Sequence, residues 1–301
     1  MAQWTAEISV DEELARRLVA EQFPPLPEAS VELVSEGWDY VVHRVDGRWA
    51  FRFPRRAVVL PGLERELAVL PRLAPRLPVA VPVPVFVGRP SARFPWPFYG
   101  APFVEGGAVE DGPPDDAARR ALACPLARVL RALHDPATLA AVGGDLPVDP
   151  IGRAEMRVRV PRAREQLAVL DDVWRPPARV VEELFERALE LPAVDPRALC
   201  HGDLHFRQLL LRDGALAGVL DWVDVCRSDP GVDLQLVWSF LPADARGAFL
   251  AEYGRVDEAS LLRARVVSLS LNASLARYAR DEGLAAVEAE AVAALELTLR
   301  D

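Results

Sequence analysis

The sequence predicts an α+β fold in two parts: a small lobe of mostly antiparallel sheet over about residues 1–103, and a larger, mainly helical lobe over 104–301. Three observations carry this expectation. Strand-like runs joined by tight turns crowd between Val31 and Phe53. From Pro113 onward apolar residues recur at helical spacing. A hairpin with polar residues at its open end is set within the helical part. The 301 residues suffice for two lobes of ordinary size, and 51% hydrophobic residues supply a substantial core.

Taken in order, Val10 to Phe23 reads as an amphipathic helix. Asp11 is its N-cap, Leu14, Leu18 and Val19 share a face, and Pro24, Pro25 and Pro27 stop it. Val31–Glu36, Tyr40–Val45 and Arg48–Phe53 read as strands, the last two joined by the turn Asp46-Gly47. Alternation puts Arg48, Ala50 and Arg52 on one face and Trp49, Phe51 and Phe53 on the other. Glu64-Arg65-Glu66 opens a helix with Leu67, Leu70 and Leu73 in a stripe. Leu77 to Val87, rich in Pro and Val, is extended, because Pro restricts the residue before it. Pro113 to His134 is a helix with Asp115 near its start, and Pro125 is expected to split or kink it. Residues 150–197 are mainly helical, with breaks expected at Pro161 and Pro176-Pro177. Val256 to Arg280 and Leu284 to Leu299 close the chain as helices.

The stretch Leu199–Asp233 organises the rest. Leu209–Arg212 and Leu216–Leu220 are strands joined by Asp213-Gly214, a pair that tolerates positive φ at both positions. A hairpin brings its open ends together, so the loop His201–Gln208 lies near Asp221. Asp203, Gln208 and Asp221 then meet. Two carboxylates and an amide oxygen on adjacent loops suit Mg²⁺ and a hydroxyl nucleophile. Each Asp taken singly reads as a turn or cap residue; it is the ordered set that points to chemistry. Asp229-Pro230 starts a helix, with Asp as the cap.

The H-G-D-x-x-x-x-Q pattern followed by L-D-W copies the spacing of a kinase catalytic loop and the metal-binding Asp after it. With these words and D-P-x-x-D-L, the chain resembles the aminoglycoside phosphotransferase family, a branch of the bilobal protein-kinase-like fold. The D-L-H form is similar to the macrolide phosphotransferase branch. The resemblance implies that Asp203 is the catalytic base, that Asp221 with Gln208 holds Mg²⁺, and that Asp233 braces the catalytic loop by accepting backbone hydrogen bonds. The family carries Asn, or His in the macrolide-type branch, where this chain has Gln208, whose amide oxygen sits one methylene further out. Arg52 stands where the family's nucleotide-binding Lys is expected, and Glu66 matches the acid that orients it. Read without the resemblance, the two are a solvated edge Arg and a surface helix charge. The turn Gly37-Trp38-Asp39 would cover the nucleotide phosphates. The connector from Phe94 to Gly107 would meet the purine through its backbone. Pro102 has no N–H to donate, so Phe103 and Val104 are the expected contacts.

Composition narrows the partners. A formal charge of −10 argues against a nucleic acid polymer or an anionic membrane surface. No run approaches the roughly 18 apolar residues of a membrane span, and the first residues lack the basic and apolar regions of a secretory signal. Cys124, Cys200 and Cys226 are scattered, which suits a reducing cytoplasm and not a zinc site. All 35 Lys+Arg residues are Arg, so a Walker A motif is excluded, and the single Asn is Asn272. The 150–197 segment shapes the acceptor pocket in the family; here it carries nine Arg and nine Asp+Glu, a balance that favours a bulky, less charged acceptor. The expected reaction is transfer of the γ-phosphoryl group of ATP or GTP to a hydroxyl of a small antibiotic-like molecule, of macrolide or aminoglycoside type. Two rivals stand beside it: a kinase of a small metabolite such as an amino alcohol or sugar, and a nucleotide-binding protein with little transferase activity.

Overall fold

The computed structural model describes residues 6–300 except 25, 27 and 28, so Pro25 and Pro27 lie outside the described residues. The chain divides into two compact units, Met1–Pro75 with Ala80–Glu105, and Arg76–Val79 with Gly106–Asp301.

The first unit opens with α1 (Glu12–Gln22), whose N-cap Asp11 accepts the Leu14 N–H through Oδ1 at 2.8 Å. β1 (Val31–Glu36), β2 (Tyr40–Val45) and β3 (Trp49–Pro54) follow, within a residue or so of expectation. Asp46 and Gly47 both take positive φ, 51° and 62°, as the turn between β2 and β3 requires. With β4 (Phe86–Gly88) and β5 (Phe98–Pro102) these strands form an antiparallel sheet in the order β1-β2-β3-β5-β4. Phe51, Phe53, Phe94 and Phe98 fill its core with Leu18 and Val19 of α1. The helix expected to open at Glu64 is α2 (Leu60–Leu73), which starts earlier because Pro61 is accommodated in its first turn. Gly62, Leu63, Glu66, Val69, Leu70 and Leu73 are its buried positions; Leu67 is only half-buried. A carboxylate thus occupies a place on the stripe where Leu was expected.

The second unit begins with β6 (Gly107–Ala108) and α3 (Asp116–Leu133), capped by Asp115, which accepts the Ala118 N–H at 2.8 Å. Pro125 does not split α3. The flanking Leu122, Leu126 and Leu130 are buried, and their packing outweighs the one hydrogen bond that Pro removes. α4 (Pro136–Val142) and α5 (Met156–Ala168) come next. Pro161 lies inside α5 without breaking it, between the buried Val160 and Ala163, whereas Pro176-Pro177 do separate α5 from α6 (Ala178–Leu189). β7 (Ala198–Cys200), β8 (Leu209–Arg212), β9 (Ala215–Val219) and β10 (Cys226–Ser228) make two small antiparallel sheets, β6-β8-β9 and β10-β7. The chain ends in α7 (Gly231–Leu234), α8 (Leu236–Ser239), α9 (Ala243–Tyr253), α10 (Glu258–Asp281) and α11 (Ala285–Leu299). α10 is buried along most of its length against α5, α7, α8 and α11. Among the described residues no helix is long and apolar enough to cross a membrane.

Candidate active site

β7 is buried throughout and ends at Cys200, directly opposite Cys226 of β10. The chain then turns at Gly202, where φ is +92° and an added Cβ would lie 2.3 Å from the Asp224 carbonyl oxygen, so only glycine fits. The turn is gripped from below. The fully buried Asp233 carboxylate accepts the His201 N–H at 2.7 Å and the Gly202 N–H at 3.0 Å, one on each oxygen. His134, at the C-cap of α3, donates from Nε2 to the same carboxylate at 3.1 Å, and the Tyr253 hydroxyl meets its Nδ1 at 2.8 Å. Asp233 therefore braces the loop through backbone hydrogen bonds, and His134 braces Asp233.

His201 ties the two halves of the motif together. Its Nδ1 accepts the Asp203 N–H at 3.3 Å, so Nε2 carries the hydrogen and donates to the Leu220 carbonyl at 2.8 Å. The Leu220 N–H in turn donates to the Gln208 carbonyl at 2.9 Å. Asp213 and Gly214 close the β8–β9 hairpin with φ of 53° and 76°. Asp203, Gln208 and Asp221 are thus carried by adjoining segments. Asp221 itself sits at φ 63°, an unusual conformation for a residue with a side chain, and such strain concentrates where a carboxylate must point a particular way.

Two residues to which the sequence reading gave no role complete the site. Arg153, whose side chain is only 8% exposed, places Nη2 3.2 Å from Asp203 and 2.7 Å from Asp224. His205 Nε2 lies 3.6 Å from the other Asp203 oxygen. Burial alone would push the Asp203 carboxyl up. Arg153 first, then the neighbouring His205, overcome that and hold it well below the usual carboxylate range. Asp203 is therefore an ionised carboxylate, one-third exposed. His205 also meets the Gln208 amide at 3.3 Å. Its Nδ1 accepts the Arg207 N–H at 3.3 Å, and it is the Gln208 amide nitrogen that lies beside its Nε2. His205 was visible in the motif H-G-D-L-H only as a mark of resemblance. Arg153 is far from Asp203 in sequence, and no local pattern announces it.

Arg153 is held from its backbone as well. Asp149 accepts the N–H groups of Arg153 and Ala154 at 2.8 and 2.7 Å, and the Asp149 N–H bonds to Arg227, which flanks Asp224 through β10. Arg159 of α5 stands close enough that burial, followed by the charges of Arg153 and Arg162, draws its guanidinium down to about 10. His134, Cys200 and Asp233 bring ligand atoms within 4.8 Å of one another, as a metal site could. Their bonds are already committed to the loop brace, and Cys200 Sγ faces the Asp229 carbonyl at 3.5 Å.

In the first unit Arg52 donates from Nη1 to both Glu66 oxygens, at 2.9 and 3.2 Å. Glu66 is fully buried and Arg52 is 12% exposed, so neither is the solvated charge that the bare sequence allows. Arg52 also lies 3.9 Å over the Tyr40 ring. The turn Gly37–Asp39 is pinned by Arg55 on the Gly37 carbonyl and by Arg56 on Asp39. The Phe103 N–H donates to the Arg48 carbonyl at 2.7 Å and its ring carries Arg44 at 4.0 Å, so both are already engaged.

The site and the fold have counterparts. Residues 30–267 match the model of the phosphotransferase enzyme family. No curated protein matches the chain significantly in sequence. Among solved structures, the GDP complex of wild-type aminoglycoside 2'-phosphotransferase-IIIa is 25% identical, covering 96% of this chain and 98% of its own, with a TM-score of 0.68. The GDP and kanamycin complex of APH(2")-IIia is 26% identical over 94% of this chain and 97% of that one, with a TM-score of 0.66. The apoenzyme of macrolide 2'-phosphotransferase MphH from Brachybacterium faecium is 26% identical over 95% of this chain and 97% of that one, with a TM-score of 0.62.

Proposed function

We propose that this chain, which belongs to the phosphotransferase enzyme family, transfers the γ-phosphoryl group of ATP or GTP to a hydroxyl of a small antibiotic-like acceptor, of macrolide or aminoglycoside type, in the cytoplasm. One observation carries the reading: the Asp233 carboxylate grips the His201 and Gly202 N–H groups, while His201 reaches Leu220, so Asp203 and Asp221 are set by one rigid frame. A transferase that relies on positioning needs such a frame.

Asp203 orients the acceptor hydroxyl and takes its proton; its low carboxyl keeps it ionised for that task. Asp221, with the Gln208 amide oxygen, is the donor set for Mg²⁺, hard oxygen ligands of the kind that ion prefers. The bound nucleotide and Mg²⁺ supply the phosphoryl group and neutralise charge on its oxygens. Arg52, held by Glu66, binds phosphate oxygens as a fixed, permanently charged fork. The Phe103 carbonyl and Val104 meet the base. On this reading residues 1–103 take the nucleotide and 104–301 carry catalysis and acceptor binding.

A second reading is favoured by one contact. The Gln208 amide nitrogen lies 3.3 Å from His205 Nε2, a contact that ties the side chain to the loop and would suit a nucleotide-binding protein with little transfer. Nucleoside diphosphate release, measured against a panel of macrolides, aminoglycosides, sugars and amino alcohols, separates the two. The parent should turn over with at least one acceptor, and Asp203→Asn should lose that turnover while binding nucleotide as before. Nucleotide binding without release in the parent, for every acceptor and for water, would establish the binding protein instead.

A further inference from the structure

Beside Asp203 the structure already holds a cation. Arg153 is nine-tenths buried, its backbone is held by Asp149, and its Nη2 lies within 3.2 Å of Asp203 and 2.7 Å of Asp224. A guanidinium fixed between two carboxylates neutralises what an ammonium group would otherwise seek there. Arg159 adds a second positive charge nearby; its Nε and Nη2 are buried with no hydrogen-bond partner. The carboxylates that face this pair are Asp149, Asp203 and Asp224, and Asp149 is spent on backbone N–H groups and Ser228. The side chains flanking Arg153 in the same segment, Val148, Ile151 and Val158, are apolar and exposed.

We propose that Arg153 sets acceptor choice: lodged between Asp203 and Asp224, it occupies the carboxylates that a polycationic acceptor would need, so the site takes a neutral or singly charged, largely apolar acceptor. This rests on the phosphotransferase reading and narrows it to one class of substrate. Specificity here comes from a repulsive element, a buried positive charge that an added ammonium must approach. A neutral hydroxyl approaching Asp203 meets no such penalty, because Arg153 and the acceptor proton address different lone pairs of the carboxylate.

The test is calorimetric titration of the full chain with its nucleotide bound, using kanamycin as the polycation and erythromycin as the singly charged macrocycle. Arg153→Gln should bind kanamycin at least about tenfold more tightly than the parent, a gain that fades with salt, and erythromycin within about threefold of it. Arg153→Lys, which keeps the charge, should show no gain. Equal kanamycin affinity in the parent and Arg153→Gln would overturn the proposal. If Arg153→Gln does not fold, Arg159→Gln serves, since that side chain has no hydrogen bond to lose; it should improve kanamycin binding about threefold, and no improvement would refute the idea. A parent that never releases nucleoside diphosphate defeats the phosphotransferase reading itself. A parent that does so, with no kanamycin gain in the variants, defeats only the role of Arg153.

Discussion

Asp233→Asn is the substitution that probes the frame most directly. The carboxylate offers one oxygen to the His201 N–H and the other to the Gly202 N–H, and among the described residues no other acceptor reaches those donors. An amide keeps one oxygen and turns an NH₂ toward the remaining N–H. Two donors then face each other in a fully buried place. Each orphaned buried donor costs about 1–3 kcal/mol, so the loss is on the order of 2–5 kcal/mol. Removing a buried charge returns part of that, since the carboxylate no longer has to be desolvated, which places the expected value at about 2–3 kcal/mol. Against a total of about 5–15 kcal/mol for an ordinary domain, this is measurable. Urea unfolding should show a lower midpoint with an unchanged slope. In folded protein, kcat should fall by more than about tenfold, one step of 1.4 kcal/mol in the barrier, with nucleotide KM near the parent value, because the loop carries Asp203. A stability within about 0.5 kcal/mol of the parent, together with an unchanged kcat, would refute the bracing role.

Gln208→Asn, which frees the amide from His205 and shortens the ligand, should keep or raise turnover at low Mg²⁺, and Asp221→Ala should abolish the Mg²⁺ dependence of nucleotide binding; identical Mg²⁺ titrations in all three proteins would remove both residues from the metal. A double-mutant cycle on Arg52→Ala and Glu66→Ala, read by nucleotide affinity and by unfolding, should give a coupling on the order of 1–3 kcal/mol, and strict additivity would mean that the pair does not form in solution. Burial pushes the Cys226 thiol up to about 12 and raises that of Cys200 as well, so in the native protein a disulfide reagent should titrate the half-buried Cys124 alone and reach all three thiols only in denaturant. Rapid reaction of a second thiol in folded protein would break the β7–β10 pairing described above.

Where local chemistry dictates conformation, sequence and structure agree. Asp46-Gly47 and Asp213-Gly214 can scarcely do anything but turn, and both do, with positive φ at all four residues. Asp11 and Asp115 cap their helices through their own oxygens. The disagreements arise where packing overrides propensity. Pro125 and Pro161 read as breakers, yet both helices continue, since their apolar faces are buried on either side. α2 starts ahead of Glu64 because Pro61 fits a helix's first turn.

The candidate site divides along a similar line. Asp203, Gln208 and Asp221 were legible because a hairpin with a known turn must bring its ends together. Arg52 and Glu66 were legible through order and spacing, and burial of Glu66 on the apolar stripe of α2 explains why an acid belongs among leucines there. Arg153 was not legible, and the reason is physical. In a chain whose basic residues are all Arg, one more Arg in a segment with nine of them carries no signal of its own. What singles it out is the company of Asp149, Asp203 and Asp224, which come from three loops and meet only when β10 pairs with β7 and the residues before α5 lie against β10. Counting charge along 150–197 gave a balanced total and thus a weak preference among acceptors. Placing one of those charges on the carboxylate proposed as the catalytic base turns the same total into a directional effect, because a cation held 3.2 Å from Asp203 would act on the reacting end of the acceptor, whereas exposed arginines elsewhere in the segment, such as Arg179, are screened.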